Sequence, residues 1–346
     1  MENTKAIFRF VAAALCCLVV IVYGTYQCLF TPDKKAITLN NTVTNSPTPN
    51  TQFVDITVPN NSATQTAPDN TDATASTPVS ATGNVAGAVI ERFISPYTAN
   101  TSYNNVYLKN NTDLNIDLKE FVNGTLGYSI EKNGEPQVLI LHTHATESFL
   151  MHDEEYYTDS DATRTTDNEY NMVALGKIIS DNLNSAGIVT LHDTTAHDSP
   201  SYNESYSRAA DTICSYLNKY PSIKVVIDLH RDSIAANDTD KVKVTTEIDG
   251  KKAAQIMLVM GSQSGSVKNH PNWKENLKLA VKIQQTTEVM YPTLARSIHF
   301  MSKNYNQSLS TGSVLIEIGT DGNTFDEAKY SAQLLSNALI CLFNTL

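Results

Sequence analysis

The chain has 346 residues, 41% apolar and 18% charged, enough for one large domain or two smaller ones. Its 36 acidic and 25 basic side chains leave a net charge of −11, which argues against nucleic acid as a partner, because such a body meets phosphates with clustered positive charge. Three of the five cysteines (Cys16, Cys17, Cys28) lie in the N-terminal apolar stretch and no CxxC pair exists, so the body is held by its core and not by a disulfide scaffold or zinc knuckle.

Phe10 to Phe30 contains no charge. As a helix it rises roughly 30 Å, the thickness of a bilayer's hydrocarbon. Lys5 and Arg9 precede it, as expected for an inside N-terminus, and no A-x-A cleavage site follows it. Residues 1–30 are therefore expected to be a single uncleaved transmembrane anchor, with the rest of the chain outside the cytoplasm. Residues 31–89 are rich in Thr, Asn, Ser and Pro, with no basic residue between Lys35 and Arg92 and Phe53 as the only aromatic. So little apolar surface cannot offset the entropy of ordering, and a flexible linker reaching roughly 40 Å is expected.

A segment at 90–135 leads onto the body, with Val106 to Leu108 and Leu114 to Leu118 alternating like short strands. The body, 136–346, alternates strand and helix. Val138 to Leu141 reads as a buried strand. Met172, Leu175, Ile179 and Leu183 recur at helical spacing before Gly187. Ile188 to Leu191 is a second strand, and Tyr206, Ala209, Ile213 and Leu217 mark a second helix ending before Pro221. Ile223 to Leu229 is a third strand. Asp249-Gly250 turns a hairpin whose second strand ends at Met260. Trp273 to Met290 is helical, Ser313 to Ile318 is another buried strand, and Thr324 to Glu327 is a capping box opening the last helix. The fold class that follows is α/β: a mostly parallel twisted sheet with helices on both faces.

Three apolar strands run straight into ionisable residues. The first leads to His142-Thr143-His144 and Glu147, the second to His230-Arg231-Asp232, and the third to Glu317. In open α/β sheets ligands bind beyond the carboxyl ends of the strands. Parallel neighbours would bring two or three histidines and two carboxylates to one crevice, a donor set that suits zinc. Glu317, inside Val-Leu-Ile-Glu-Ile-Gly, is costly to bury without a partner or a function. His152, His192, His197, His270 and His299 read as structural. Gly261 to Gly265 lacks the central serine of a nucleophile elbow, and neither GxxxxGK nor HExxH is present.

Several motifs in order resemble one family: Val138 to Ser148, His192 to Asp198, Tyr202 to Arg208, Val226 to Asp232, Pro271 to Trp273 and Leu315 to Gly319. Together they are similar to the stage II sporulation protein P family, related to LytC-type zinc N-acetylmuramoyl-L-alanine amidases. The resemblance implies an amidase-like fold and removal of stem peptides from peptidoglycan, with endopeptidase activity on cross-links, during forespore engulfment. It implies a place in the mother-cell membrane facing the forespore, beside a lytic transglycosylase (stage II sporulation protein D) and stage II sporulation protein M. It implies zinc held by His142, Glu147 and His230, with Glu317 as general acid/base. Glu169 stands near the place where the wider amidase pattern has its ligand glutamate, and whether His144 or Glu169 joins or replaces a ligand stays open. The alternative function is a weakly active or inactive scaffold that binds cell wall and recruits a lytic partner.

Overall fold

The computed structural model describes residues 83–346. The anchor expected at 1–30 and nearly all of the linker expected at 31–89 lie outside the described residues. Among the described residues no helix is long and apolar enough to cross a membrane.

Two sheets organise the body. The smaller has four strands in the order β5 (Tyr156–Thr158), β1 (Val85–Arg92), β8 (Lys241–Ile248), β9 (Lys251–Ala254). The larger has eight: β2 (Thr101–Tyr103), β3 (Val106–Asn110), β11 (Ile298–Met301), β10 (Ile256–Gly261), β12 (Ser313–Thr320), β7 (Val225–Asp232), β4 (Val138–Leu141), β6 (Thr190–His192). All of its neighbours are parallel except β2 with β3 and β10 with β12.

Helices cover both faces of the larger sheet. On one side α2 (Met172–Ser185), α4 (Trp273–Met290) and α5 (Phe325–Phe343) bury Leu175, Ile179, Ile283 and Leu335 against Val138, Ile140, Ile227 and Ile316. On the other, α3 (Ser205–Lys219) sets Ala209 and Ile213 against Leu139, Leu141 and Val226. Strands covered on both sides must be apolar at every position, and Val138 to Leu141 are all buried. Asn171 caps α2 through its side chain, and Thr324 with Glu327 forms the capping box of α5.

Three local expectations change. Leu114 to Leu118 is not a strand, because the Asp117 carboxylate accepts from the Lys119 N–H and starts the short helix α1 (Leu118–Asn123), whose Phe121 packs on Trp273. The long second strand of the hairpin breaks at Gln255: β9 stays in the small sheet and β10 enters the large one. The Gln255 side chain satisfies the crossing by donating to the Ile94 and Thr293 carbonyls and accepting from the Ile94 N–H. Strand β11, which carried no strong sequence signal, fills the sheet between β3 and β10.

Candidate metal centre

Sheet register assembles the site. Strands β12 and β7 are parallel neighbours, and Glu317 is paired in register with His230. Strands β7 and β4 are also parallel, with Leu141 beside Asp228. In-register neighbours point to the same face and side chains alternate along a strand, so Asp228, His230 and Glu317 share the α3 face with Leu141. After Glu317 the β12–β7 register shifts before Thr320. Gly319 makes that bulge with φ +61°, and a Cβ there would lie 2.9 Å from the Ala254 Cβ. Bulges re-aim side chains next to functional sites.

The same alternation sends His142 to the other face. It continues the Val138, Ile140 row and is fully buried beneath α2. Its Nδ1 is 3.0 Å from the Leu229 carbonyl and its Nε2 is 2.8 Å from His192 Nε2. Space for the two rings exists because position 176 on α2 is glycine: a Cβ there would lie 2.5 Å from His192 Nε2 and 2.7 Å from His142 Nε2. His142, expected among the ligands, is thus not in the group that contains Glu147 and His230, and His144 stands in its place. The reason is that β4 ends at Leu141 and the chain turns through Thr143–Thr146, carrying His144 across to the α3 face.

His144, Glu147 and His230, all buried, can each offer a ligand atom within 4.8 Å of the others. His144 Nδ1 is 3.5 Å from Glu147 Oε1, and His230 Nδ1 is 3.8 Å from Glu147 Oε2. The remaining imidazole nitrogens point to second partners: His144 Nε2 to Ser205 Oγ at 3.1 Å, and His230 Nε2 to Asp228 Oδ1 at 2.9 Å, out of line for a hydrogen bond. Glu147 also accepts from the Arg231 N–H at 3.0 Å and from Arg164 Nη2 at 3.3 Å.

The group lies in a cleft of about 420 Å³ that Arg164, Tyr202, Tyr206, Asp232, Glu317 and Asp321 help to line. Tyr202 stacks on His144 at 4.5 Å between ring centroids, and Arg164 lies over the Tyr202 ring at 4.9 Å. Glu169, the other carboxylate considered, is exposed in the turn before α2 and is not among the residues lining the cleft. Arg208 donates to the carbonyls of His197, Ser201 and Asn203, fastening the loop that carries Tyr202.

Charges in the cleft are strongly displaced. Burial opposes ionisation of His230, yet Asp228, Glu147 and Glu317 around it push its pKa up to about 10. Burial opposes the Glu147 carboxylate too, but His144, His230 and Arg231 hold its pKa below the ordinary value. For Glu317 burial wins, and its pKa rises to about 8 despite His230 nearby. The site therefore favours a cation at its centre and leaves one carboxyl beside it ready to hold a proton. Glu317 Oε2 is buried with no hydrogen-bond partner. Two imidazoles, a carboxylate and this unpartnered oxygen fit zinc, which takes nitrogen and oxygen ligands and keeps a position open in catalytic sites.

Two contributors, Asp228 and Arg164, carry no expectation from the sequence, whereas His144 is a candidate that the motif leaves open. Asp228 is a carboxylate inside a β-branched strand two positions before His230, a signal of the same kind as Glu317. Arg164 sits in a polar stretch with no pattern, and only folding brings it to Glu147 and Asp198.

Among the solved structures to which the chain is similar are two amidases. The CwlD amidase of Clostridioides difficile, solved in complex with the GerS lipoprotein, is 11% identical over 60% of this chain and 96% of that one, with a TM-score of 0.38. The amidase AmiC2 of Nostoc punctiforme is 13% identical over 61% of this chain and 96% of that one, with a TM-score of 0.37. In sequence, the chain is 29% identical over 208 residues to stage II sporulation protein P of Bacillus subtilis (strain 168), covering 56% of this chain and 48% of that protein. The match therefore spans about half the length of that relative. The family described as Stage II sporulation protein P (SpoIIP) matches residues 46–340, and the chain belongs to that family.

Proposed function

We propose that this protein is a zinc-dependent peptidoglycan hydrolase that removes stem peptides from glycan strands, an N-acetylmuramoyl-L-alanine amidase with endopeptidase activity on cross-links. The observation that carries the reading is the convergence of His144, Glu147 and His230 beside Glu317, whose buried Oε2 has no partner. Membership in a sporulation family supports the setting: forespore engulfment, at a membrane reached through the apolar stretch Phe10 to Phe30, alongside stage II sporulation proteins D and M.

In this reading His144, Glu147 and His230 hold the metal. Zinc, when bound, supplies Lewis acidity that polarises an amide carbonyl and acidifies water. Glu317 moves the proton. Its carboxylate accepts a proton from the attacking water and delivers it to the departing amine nitrogen. A general base works best with a pKa raised towards the operating pH, and burial in the β12–β7 wall raises that of Glu317 above the ordinary carboxylate value. Tyr202 and Arg164 form the rim against which a substrate lies, and His144 is stiffened from behind by Tyr202 and Ser205.

Digestion of purified peptidoglycan, with and without chelator, followed by mass spectrometry of the products, tests the proposal. Peptides beginning at L-alanine together with bare glycans indicate amidase action. Cut cross-links with stems still attached indicate endopeptidase action alone. No chelator-sensitive release of either kind refutes the enzyme reading in favour of a scaffold.

A further inference from the structure

Asp228 is neither a ligand nor a proton carrier in the reading above, yet it is among the most enclosed charges in the fold. It lies inside Val225–Asp232 at 4% exposure, on the same face as His230. A carboxylate in such a strand costs several kcal/mol of about that order unless its lone pairs are met. Thr143 meets them with two hydrogen bonds. Thr143 donates its N–H to Oδ1 at 2.8 Å and its hydroxyl to Oδ2 at 2.7 Å. Oδ1 also lies 2.9 Å from His230 Nε2, while the Nδ1 of the same ring faces Glu147.

We propose that Asp228 is a positioning residue for the metal centre: it holds a hydrogen on His230 Nε2, so that Nδ1, which faces Glu147, is the nitrogen that yields its proton to a metal. The inference rests on the metal-centre reading above. Its physical basis is that a carboxylate only accepts, so the imidazole nitrogen beside it carries a hydrogen, and a ring that gives up its second proton on binding a metal gives up the one on Nδ1. The distance is within hydrogen-bond range, and the ring as it stands is turned out of line. Thr143 adds a second consequence. It opens the turn that swings His144 across the sheet, so one carboxylate fixes both the orientation of His230 and the anchor of the His144 turn. His144 has only a hydroxyl behind it, Ser205 Oγ, which can donate or accept and so imposes no tautomer. The two imidazoles are thus held differently, one by an anion and one by a neutral group.

The test compares the full chain with Asp228→Leu and Asp228→Asn, labelled with nitrogen-15 at histidine. Zinc affinity is measured by competition with a chromogenic chelator, and folding by denaturation in excess chelator. Outer partners of ligating histidines typically contribute about 10–100-fold to metal affinity. Asp228→Leu is expected to lose zinc affinity in that range. Asp228→Asn, whose amide oxygen still accepts but carries no charge, is expected to lose less, about threefold or more. In metal-free wild type, a downfield, exchange-protected proton on His230 Nε2 is expected, and the leucine variant should lack it. Should the leucine variant fail to fold, the asparagine variant carries the test. Affinity within twofold of wild type in the folded variants, or an Nε2 proton unaffected by leucine, overturns the inference. A wild-type chain that shows the protected proton but binds no zinc refutes the metal reading while leaving the hold of Asp228 on His230 intact.

Discussion

His142 and His144 are two positions apart in one motif, and the structure assigns them opposite consequences. Consider His142→Ala and His144→Ala. His142 is a fully buried imidazole whose two nitrogens contact the Leu229 carbonyl and His192. Removing it leaves a cavity between β4 and α2, for which large-to-alanine changes cost about 2–5 kcal/mol. It also strips a partner from His192 and from the carbonyl, adding about 1–3 kcal/mol. His144→Ala, in contrast, opens onto the cleft. It loses one hydrogen bond to Ser205, the stacked Tyr202 ring and edge contacts with Tyr206 and His230, about 1–3 kcal/mol together. Urea denaturation of the chelator-treated proteins measures these costs without any contribution from bound metal. Zinc affinity is then read by chelator competition well below each midpoint. The expected result is a double dissociation: His142→Ala is the less stable protein but binds zinc like wild type, whereas His144→Ala keeps most of its stability and loses zinc by more than the roughly 10–100-fold typical of an outer partner. If His142→Ala abolished zinc binding and His144→Ala retained it, the placement of the two rings on opposite faces would be wrong.

Three further outcomes are expected. Glu317→Gln should retain one zinc yet release peptide from peptidoglycan about 10²–10⁴ times more slowly, the usual share of a general base; activity within tenfold of wild type would remove Glu317 from the chemistry. Gly176→Ala, ordinarily a gain of about 1 kcal/mol in a helix interior, should instead destabilise the fold by about 1–2 kcal/mol, because the new methyl meets the half-buried His192 ring at 2.5 Å and the buried His142 ring at 2.7 Å; chemical denaturation measures the sign. The His142–His192 pair should also make the metal-free protein acid-sensitive. Burial first, and the neighbouring His192 second, lowers the pKa of His142 from 6.5 to about 3, and burial lowers that of His192 to about 4. With folded values below the unfolded one, the stability these rings contribute is complete above pH 6.5 and is lost as the pH falls towards 4 and 3. At pH 5 each ring forfeits on the order of 2 kcal/mol. His192→Asn should therefore lose clearly less stability between pH 7 and pH 5 than wild type, and identical losses would show that the pair is not the cause.

Much of this protein was legible along the chain because burial leaves a periodic trace. Val138 to Leu141 and Ser313 to Ile318 read as strands because apolar residues at every position are needed when helices cover both faces of a sheet. The capping box at Thr324 marked α5 because the same four residues must satisfy the helix's first N–H groups wherever it lies. Glu317 stood out for a similar reason, since a carboxylate amid Val, Leu and Ile announces its own cost. The motif around His142 and Glu147 lies at the end of β4, beside which His144, Glu147 and His230 gather.

The tertiary structure decided which face each side chain meets. Alternation along β4 separates His142 from Leu141, but nothing within the strand says which side holds α3 and which holds α2. Only the register of β4 with β7, and of β7 with β12, sets Asp228, His230 and Glu317 on one face and sends His142 beneath Gly176. The turn at Thr143–Thr146 then returns His144 to the first face, because Thr143 is tied to a carboxylate 85 positions later. Arg164 and Asp228 reach the site the same way, through contacts between distant segments. Periodicity records how deeply a residue is buried, whereas the partner it meets there depends on how separate strands are laid side by side.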